Sequence, residues 1–246
     1  MAHPRRRTAQ KHREPQRSHF RDRTEAGYAL AERLGTYQGR PDTVVVGLVP
    51  GIAVAAAVAH ALHLPLDVIV TSSLRVPGAR RMTMGAVAED GDAQLNQAVI
   101  WGVGASRAQV EAEIARQASV LLDGRRRLRG GCPLTLPPRA TVILAVDGLT
   151  SGTTAMAAIR ALRARGVRRL ALAAPVAPPA TVDRVSDMVD ELVVLETPLA
   201  FRGVSPFYGN FRPESEAEVR ELLAANRPSR LSTRFAGNGV SHGPKS

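Results

Sequence analysis

The 246-residue chain is 44% hydrophobic and 22% charged, with aromatic residues at only 4%. That is an ordinary globular composition, and its core has to come from Ala, Val, Leu and Ile. No apolar run approaches the roughly 20 residues of a membrane span, and the basic N-terminus lacks the following apolar stretch of a secretory signal. The single cysteine, Cys132, rules out an internal disulfide and suits a reducing, cytoplasmic setting.

The formal net charge of +11 has the size of a nucleic-acid binder's until it is mapped. Residues 1–19 hold six cations and one acid, residues 227–246 hold four cations and no acid, and +2 is left on residues 20–226. The excess therefore sits in two tails, both poor in large apolar residues, which are expected to be disordered. Two readings of the tails stay open. They keep the protein in solution, or they make a salt-sensitive contact with nucleic acid or another polyanion.

Hydrophobic periodicity predicts one domain over residues 20–226. Arg23 to Leu34 reads as a helix with Ala26, Leu30 and Leu34 on one face. Val44 to Val49 is a continuous apolar run, the pattern of a strand covered on both faces. An Ala-rich helix from Ile52 to Leu62 and a second strand from Leu66 to Thr71 complete a β-α-β unit, so these strands should be parallel. From Met82 to Trp101, two strand-like runs flank the turn-rich Glu89-Asp90-Gly91-Asp92, which predicts a β-hairpin or flap. Ser106 can cap a helix running to about Leu122, and a loop follows from Gly130 to Pro138. Thr141 to Val146 is another apolar strand. A small-residue turn leads from it into a helix, Thr154 to Arg165, that Gly166 can end. Strands at Leu170–Val176 and Glu191–Leu195 and a helix at Glu214–Ala225 close the domain. Strands alternating with helices imply an α/β fold with a doubly wound, mostly parallel sheet.

In such sheets ligands sit beyond the carboxyl ends of the strands. Two glycine-bearing turns lie there: Gly47-Leu48-Val49-Pro50-Gly51, and Asp147-Gly148-Leu149-Thr150-Ser151-Gly152-Thr153-Thr154. In the second, Asp147 is the first polar side chain after the strand and can accept hydrogen bonds from sugar hydroxyls. Hydroxyls and backbone N–H groups at a helix start bind phosphate well. The competing reading is a plain strand-turn-helix connection in which Ser151 or Thr153 caps the helix.

An apolar strand, an acid, and then Thr150-Ser151-Gly152-Thr153-Thr154 resembles the ribose-5-phosphate loop of type I phosphoribosyltransferases. The resemblance extends over about Phe20 to Leu223. Phe20 to Gly27 resembles the family's opening, Met84 to Glu89 its flap, and Arg125 to Gly131 its approach to the phosphate loop. Pro175 to Pro179, and Leu195 to Pro198 followed by Phe201, Tyr208 and Phe211, resemble its C-terminal part. What the resemblance implies is displacement of pyrophosphate from phosphoribosyl pyrophosphate by a nucleophile, with Mg²⁺ accompanying that substrate. It also implies that Asp147 and Gly148 hold the ribose side and that Thr150 to Thr154 cradle the 5′-phosphate. Val49, Pro50 and Gly51 would then face the pyrophosphate, and Tyr208, with Phe207 and Phe211, would lie on the base or acceptor side. Nucleoside 5′-phosphates are alternative ligands, and family members often form homodimers.

The sequence departs from the family pattern at chemical positions. Val146 stands where a second acid is usual, Pro50-Gly51-Ile52 where an Arg and two glycines are usual, and Ser72-Ser73 where a basic pair is usual. Arg75, Arg80 and Arg81, in the loop after the second strand, either reach the pyrophosphate on loop closure or are solvated loop charges. Arg125 to Arg129 reads as a solvated helix end that complements the helix dipole. A nucleotide-sensing regulator or a degenerate paralogue without turnover is therefore the alternative to a transferase. His60 and His63 lack a third metal ligand, and Cys132 has no nearby histidine.

Overall fold

The computed structural model describes residues 19–226, with the side chains of Arg80 and Arg81 excepted. Both basic tails thus lie outside the described residues, apart from His19. In chain order the elements are α1 (Arg23–Arg33), β1 (Thr43–Gly47), α2 (Ile52–Leu62), β2 (Leu66–Val68), β3 (Thr71–Val76), β4 (Ala79–Ala88), β5 (Ala93–Leu95) and α3 (Gln97–Gly102). They continue as α4 (Arg107–Arg129), β6 (Thr141–Ala145), α5 (Thr153–Ala164), β7 (Arg169–Val176), α6 (Pro179–Ser186), β8 (Glu191–Glu196) and α7 (Glu216–Ala225).

Five strands form a parallel sheet in the order β2-β1-β6-β7-β8. Its inner strands are buried throughout except at Arg169, because both faces are covered. Val45, Ile143, Ala171 and Ala173 point to a cluster with Leu30 of α1, Val54 and Val58 of α2, and Val219 and Leu223 of α7. Their neighbours Val44, Val46, Val142, Leu144, Leu170 and Leu172 point the other way, onto Met156, Ile159 and Leu162 of α5 and Val185 of α6. The two-residue period of the strands thus divides one apolar run between two cores. Each fully buried Leu or Ile contributes on the order of 1.5–3 kcal/mol. The α/β class and the mostly parallel sheet flanked by helices are as the periodicity predicts.

The second predicted strand is divided. Its parallel part stops at Val68, and Thr71 begins β3, which belongs to a separate antiparallel sheet, β3-β4-β5. The flap therefore has three strands, and Arg75, Arg80 and Arg81 lie on strands rather than in a loop. Serines and arginines at 72, 73, 75, 80 and 81 disguise this sheet, because only part of it is covered. Met84 and Val87 are buried while Thr83 is exposed. Helix α4 also runs past its expected end to Arg129, started by a reciprocal capping box between Ser106 and Gln109. The last arginine of that run is not solvated. Arg129 is 9% exposed and ion-paired with Glu89.

Glu113 of α4 ties this helix to β3. It accepts hydrogen bonds from the backbone N–H of Arg75 (3.1 Å), from Arg116 Nε (2.7 Å) and from Gln117 Nε2 (2.9 Å). The Arg116 guanidinium is the largest influence and holds the Glu113 carboxyl down to about 2, against an ordinary 4.5. A carboxylate with a depressed folded-state pKa adds stability above its unfolded value and loses it as pH falls through the folded value. Glu113→Gln is therefore expected to flatten the decline of the urea midpoint between pH 4.5 and about 2. An unchanged acid limb would show that the contact does not hold in solution.

Candidate functional site

Strands β1 and β6 are parallel neighbours in register, with Gly47 opposite Ala145. The two glycine-bearing turns that follow them therefore emerge side by side at one end of the sheet. Together they line a cavity of about 280 Å³, with Val49 and Pro50 on one side and Asp147 to Thr154 on the other. Ser73 of β3 and Thr83 of β4 complete the wall, so the antiparallel sheet does stand over the cleft. A second cavity of about 560 Å³ continues from Pro50, Asp147, Gly148 and Thr150 to Arg202, Val204 and Phe211.

The second turn is held from beneath. Thr181 Oγ1, at the start of α6, donates to the carbonyl of Thr150 at 2.6 Å, and the N–H of Leu149 donates to the carbonyl of Val176 at 2.9 Å. Gly152 is the N-cap of α5, in the left-handed region with φ 72°, and no side chain caps the helix. A Cβ there would lie 2.9 Å from Thr181 Cγ2, so only glycine allows this turn. Ser151 Oγ and Thr153 Oγ1 lie 2.9 Å apart and share a hydrogen bond. Ser151 Oγ also accepts a long 3.5 Å hydrogen bond from the N–H of Thr153, so the first turn of α5 is flanked by hydroxyls while its N-cap Gly152 supplies no side chain.

Asp147 is held by Arg23, the first residue of α1. Arg23 Nε and Nη2 donate to Asp147 Oδ2 at 3.0 and 2.9 Å. The same guanidinium donates from Nη1 to the carbonyl of Arg212 at 2.5 Å and sits 3.9 Å over the Phe211 ring. Burial is the largest influence on Asp147 and pushes its carboxyl up. Arg23 opposes this, and Glu214 reinforces it. Arg23 and Glu214 escaped the sequence reading. One signal was available: a cation in the first turn of a helix stands at the wrong end of the dipole, which asks for a tertiary partner.

Tyr208 is buried, and its hydroxyl donates to the carbonyl of Asp147 at 2.6 Å. Its ring packs between Phe20 (5.7 Å) and Phe211 (4.9 Å). Of the aromatic residues 207, 208 and 211, Phe211 lines the second cavity. Val146 is 3% exposed and belongs to the α5-side core. Ser72 donates to Gln117 Oε1 at 2.6 Å. Arg75 lines a separate cavity with Glu113 and Arg116. The backbone places Arg80 and Arg81 on β4, and their side chains lie outside the description. His60 and His63 are exposed. Among the described residues no three side chains form a metal-binding group, and no helix is long and apolar enough to cross a membrane.

These features define an open α/β protein whose cleft lies over the carboxyl ends of two central parallel strands. The chain belongs to the phosphoribosyl transferase domain family, whose model matches residues 24–207. It is 39% identical over 212 residues to proteins of two Mycobacterium tuberculosis strains, CDC 1551 / Oshkosh and ATCC 25618 / H37Rv, that carry the provisional name phosphoribosyl transferase. That match takes in 83% of this chain and 46% of each relative, so the chain spans about half the length of the curated relatives it matches. Among solved structures it is similar to TT1426 from Thermus thermophilus, at 34% identity and a TM-score of 0.68 over 85% of this chain and 99% of that one.

Proposed function

We propose that the chain binds a 5-phosphoribosyl ligand, phosphoribosyl pyrophosphate or a nucleoside 5′-phosphate, with the 5′-phosphate on the first turn of α5. The observation that carries this is the uncapped helix start at Gly152, opening with Ser151 and Thr153 into the cleft between the two turns. Asp147, fixed by Arg23 at the same cleft, is the acceptor for ribose hydroxyls. A Mg²⁺ ion would enter this site with the ligand's pyrophosphate, where Asp147 is the carboxylate lining the cleft. Its chemistry there would be neutralisation of the leaving group.

Phosphoribosyl transfer by this cleft would depend on positioning. The described groups facing the α5 turn across the cleft, Val49 and Pro50 before α2 and Ser73 and Thr83 of the antiparallel sheet, bring no charge to a departing pyrophosphate. That neutrality favours a second reading, a non-catalytic nucleotide sensor whose basic tails contact nucleic acid or a partner.

Isothermal titration tests the primary reading. Wild-type protein is expected to bind phosphoribosyl pyrophosphate with Mg²⁺, a nucleoside 5′-phosphate, or both. The double variant Ser151→Ala/Thr153→Val is expected to lose at least roughly tenfold, because one charge-assisted hydrogen bond contributes about 1.5–3 kcal/mol. The absence of binding heat for every such ligand in the wild type would sink the proposal.

A further inference from the structure

The second cavity leads away from the α5 turn, and its far lip is the segment 202–206. That lip is seated closely on the ribose side of the cleft. Gly148 has φ 148°, and a Cβ on it would fall 2.7 Å from both methyl groups of Val204, so only glycine lets the lip come this near. The N–H of Phe207 donates to the carbonyl of Val204 at 3.0 Å, and the N–H of Tyr208 to the carbonyl of Ser205 at 3.1 Å. The Tyr208 hydroxyl then ties this segment to the carbonyl of Asp147. Arg202, two residues before Val204, is thereby placed at the mouth of the cavity that begins at Asp147.

Three charged side chains line this cavity among the described residues: Arg23, Asp147 and Arg202. Arg23 and Asp147 are paired at 2.9 Å. Glu214, 3.8 Å from Arg23, opens into a separate cavity with Asp22 and Arg212. Arg202 is exposed and has no hydrogen bond or ion pair among the described residues. Its charge is therefore the one left uncompensated at the mouth. The remaining walls read a neutral hydrogen-bonding edge poorly. Val204 and Phe211 are apolar, and Pro50 and Pro206 have no N–H to donate. Apolar walls with one fixed polar group select a ligand by that group. A guanidinium matches a carboxylate through two parallel N–H donors.

We propose that Arg202 is a specificity-determining residue that selects a carboxylate on an apolar ring. The group joined to the ribose is then a carboxylated heterocycle rather than a neutral base. With the phosphate on the α5 turn and the ribose at Asp147, both in the first cavity, the adjoining cavity of about 560 Å³ is the space for this group. The inference rests on the α5 turn being the 5′-phosphate site.

Titration with two matched pairs of nucleotides tests it: orotidine 5′-monophosphate against uridine 5′-monophosphate, and nicotinate mononucleotide against nicotinamide mononucleotide. Within each pair the phosphate and ribose are shared, and a ring carboxylate makes the difference. The wild type is expected to bind the carboxylated member of at least one pair roughly tenfold more tightly than its neutral counterpart. Arg202→Gln is expected to shrink that preference to less than about threefold, with the loss falling on the carboxylated member. A wild type without preference in either pair overturns the inference, and so does a preference that survives in the variant. An equal loss for both members and for ribose 5-phosphate would make Arg202 a structural part of the lip and also overturn it. A variant that loses roughly tenfold for phosphoribosyl pyrophosphate with Mg²⁺, yet keeps the carboxylate preference, would assign Arg202 to the pyrophosphate and overturn it likewise. Failure of ribose 5-phosphate and all four nucleotides to bind the wild type removes the α5 phosphate site, and this inference with it. That result is distinct from binding without preference, which leaves the phosphate site standing.

Discussion

Arg23→Met is expected to lower the unfolding free energy by about 3–5 kcal/mol, the range for breaking a buried ion pair from one side. The Arg23 side chain is 6% exposed, and its charge is what accompanies Asp147 and Glu214 in the interior. Methionine restores much of the packing over Phe211 but none of the donors, so the loss measures the unpaired acids rather than a cavity. The pH dependence should identify the culprit. Burial already raises the Asp147 pKa above its ordinary 3.8, and Arg23 is the group that restrains the rise. Without Arg23 the folded-state value moves higher still. A carboxyl raised on folding binds more protons in the folded state, so stability increases as pH falls through the folded value toward 3.8. The variant should therefore recover part of its loss on acidification, and Arg23→Met/Asp147→Asn should recover part of it at neutral pH. Urea midpoints at pH 7 and pH 5 measure both. A variant with a wild-type midpoint at pH 7 would show that the pair does not hold the site.

Glu89→Ala is expected to be comparably damaging, again by about 3–5 kcal/mol. The Glu89 side chain is 1% exposed at the turn after β4, between two arginines. Arg165 Nη2 donates to it at 3.0 Å, Arg129 Nη2 makes a short contact with it, and the N–H of Val70 donates to it at 3.2 Å. Arg165 has Asp90 as a second partner at 2.7 Å, whereas Arg129 Nε and Nη1 lack partners among the described residues. Alanine would thus strand the Arg129 charge in the interior. The break should also be local before it is global. Glu89 joins the antiparallel sheet to α4 and α5, so hydrogen exchange should quicken first in β4 and β5. The expected readout is a lowered urea midpoint together with reduced protection in residues 84–95. Wild-type protection there would count against the clamp.

Much of this architecture is written in local pattern. Val44 to Val46 and Val142 to Ala145 are apolar at every position because helices cover both faces, and that signal survives in sequence without knowledge of the partners. The turn from Asp147 to Thr154 is legible for a similar reason: an apolar run, an acid, hydroxyls and a glycine follow in one continuous stretch. What stayed hidden is set by partners remote in sequence. Strand β3 carries Ser72, Ser73 and Arg75, and it becomes a strand only because β4 pairs with it. Helix α6 begins at Pro179 after Pro178, so its start looks like loop, although proline suits the first helical position. Arg129 sits in a run of arginines that resembles a solvated helix end, and its burial depends on Glu89 forty residues earlier. Glu214 next to Gly51 could not be foreseen, because 163 residues separate them.

Those separations have a consequence for how the cleft comes into being. The Arg23 guanidinium bridges to Asp147 across 124 residues and to the carbonyl of Arg212 across 189. His19 and Phe20 are joined to Phe207 through backbone hydrogen bonds. Contacts of such sequence distance carry a large loop-closure cost and are gained late, after local elements have formed. A chain emerging during synthesis would thus hold the sheet strands β1 and β6 and the α5 turn well before it could fasten Arg23 to the carbonyl of Arg212. A ligand bound in the cleft would then report completed folding, and by mass action it would favour the finished molecule over its partly assembled precursors.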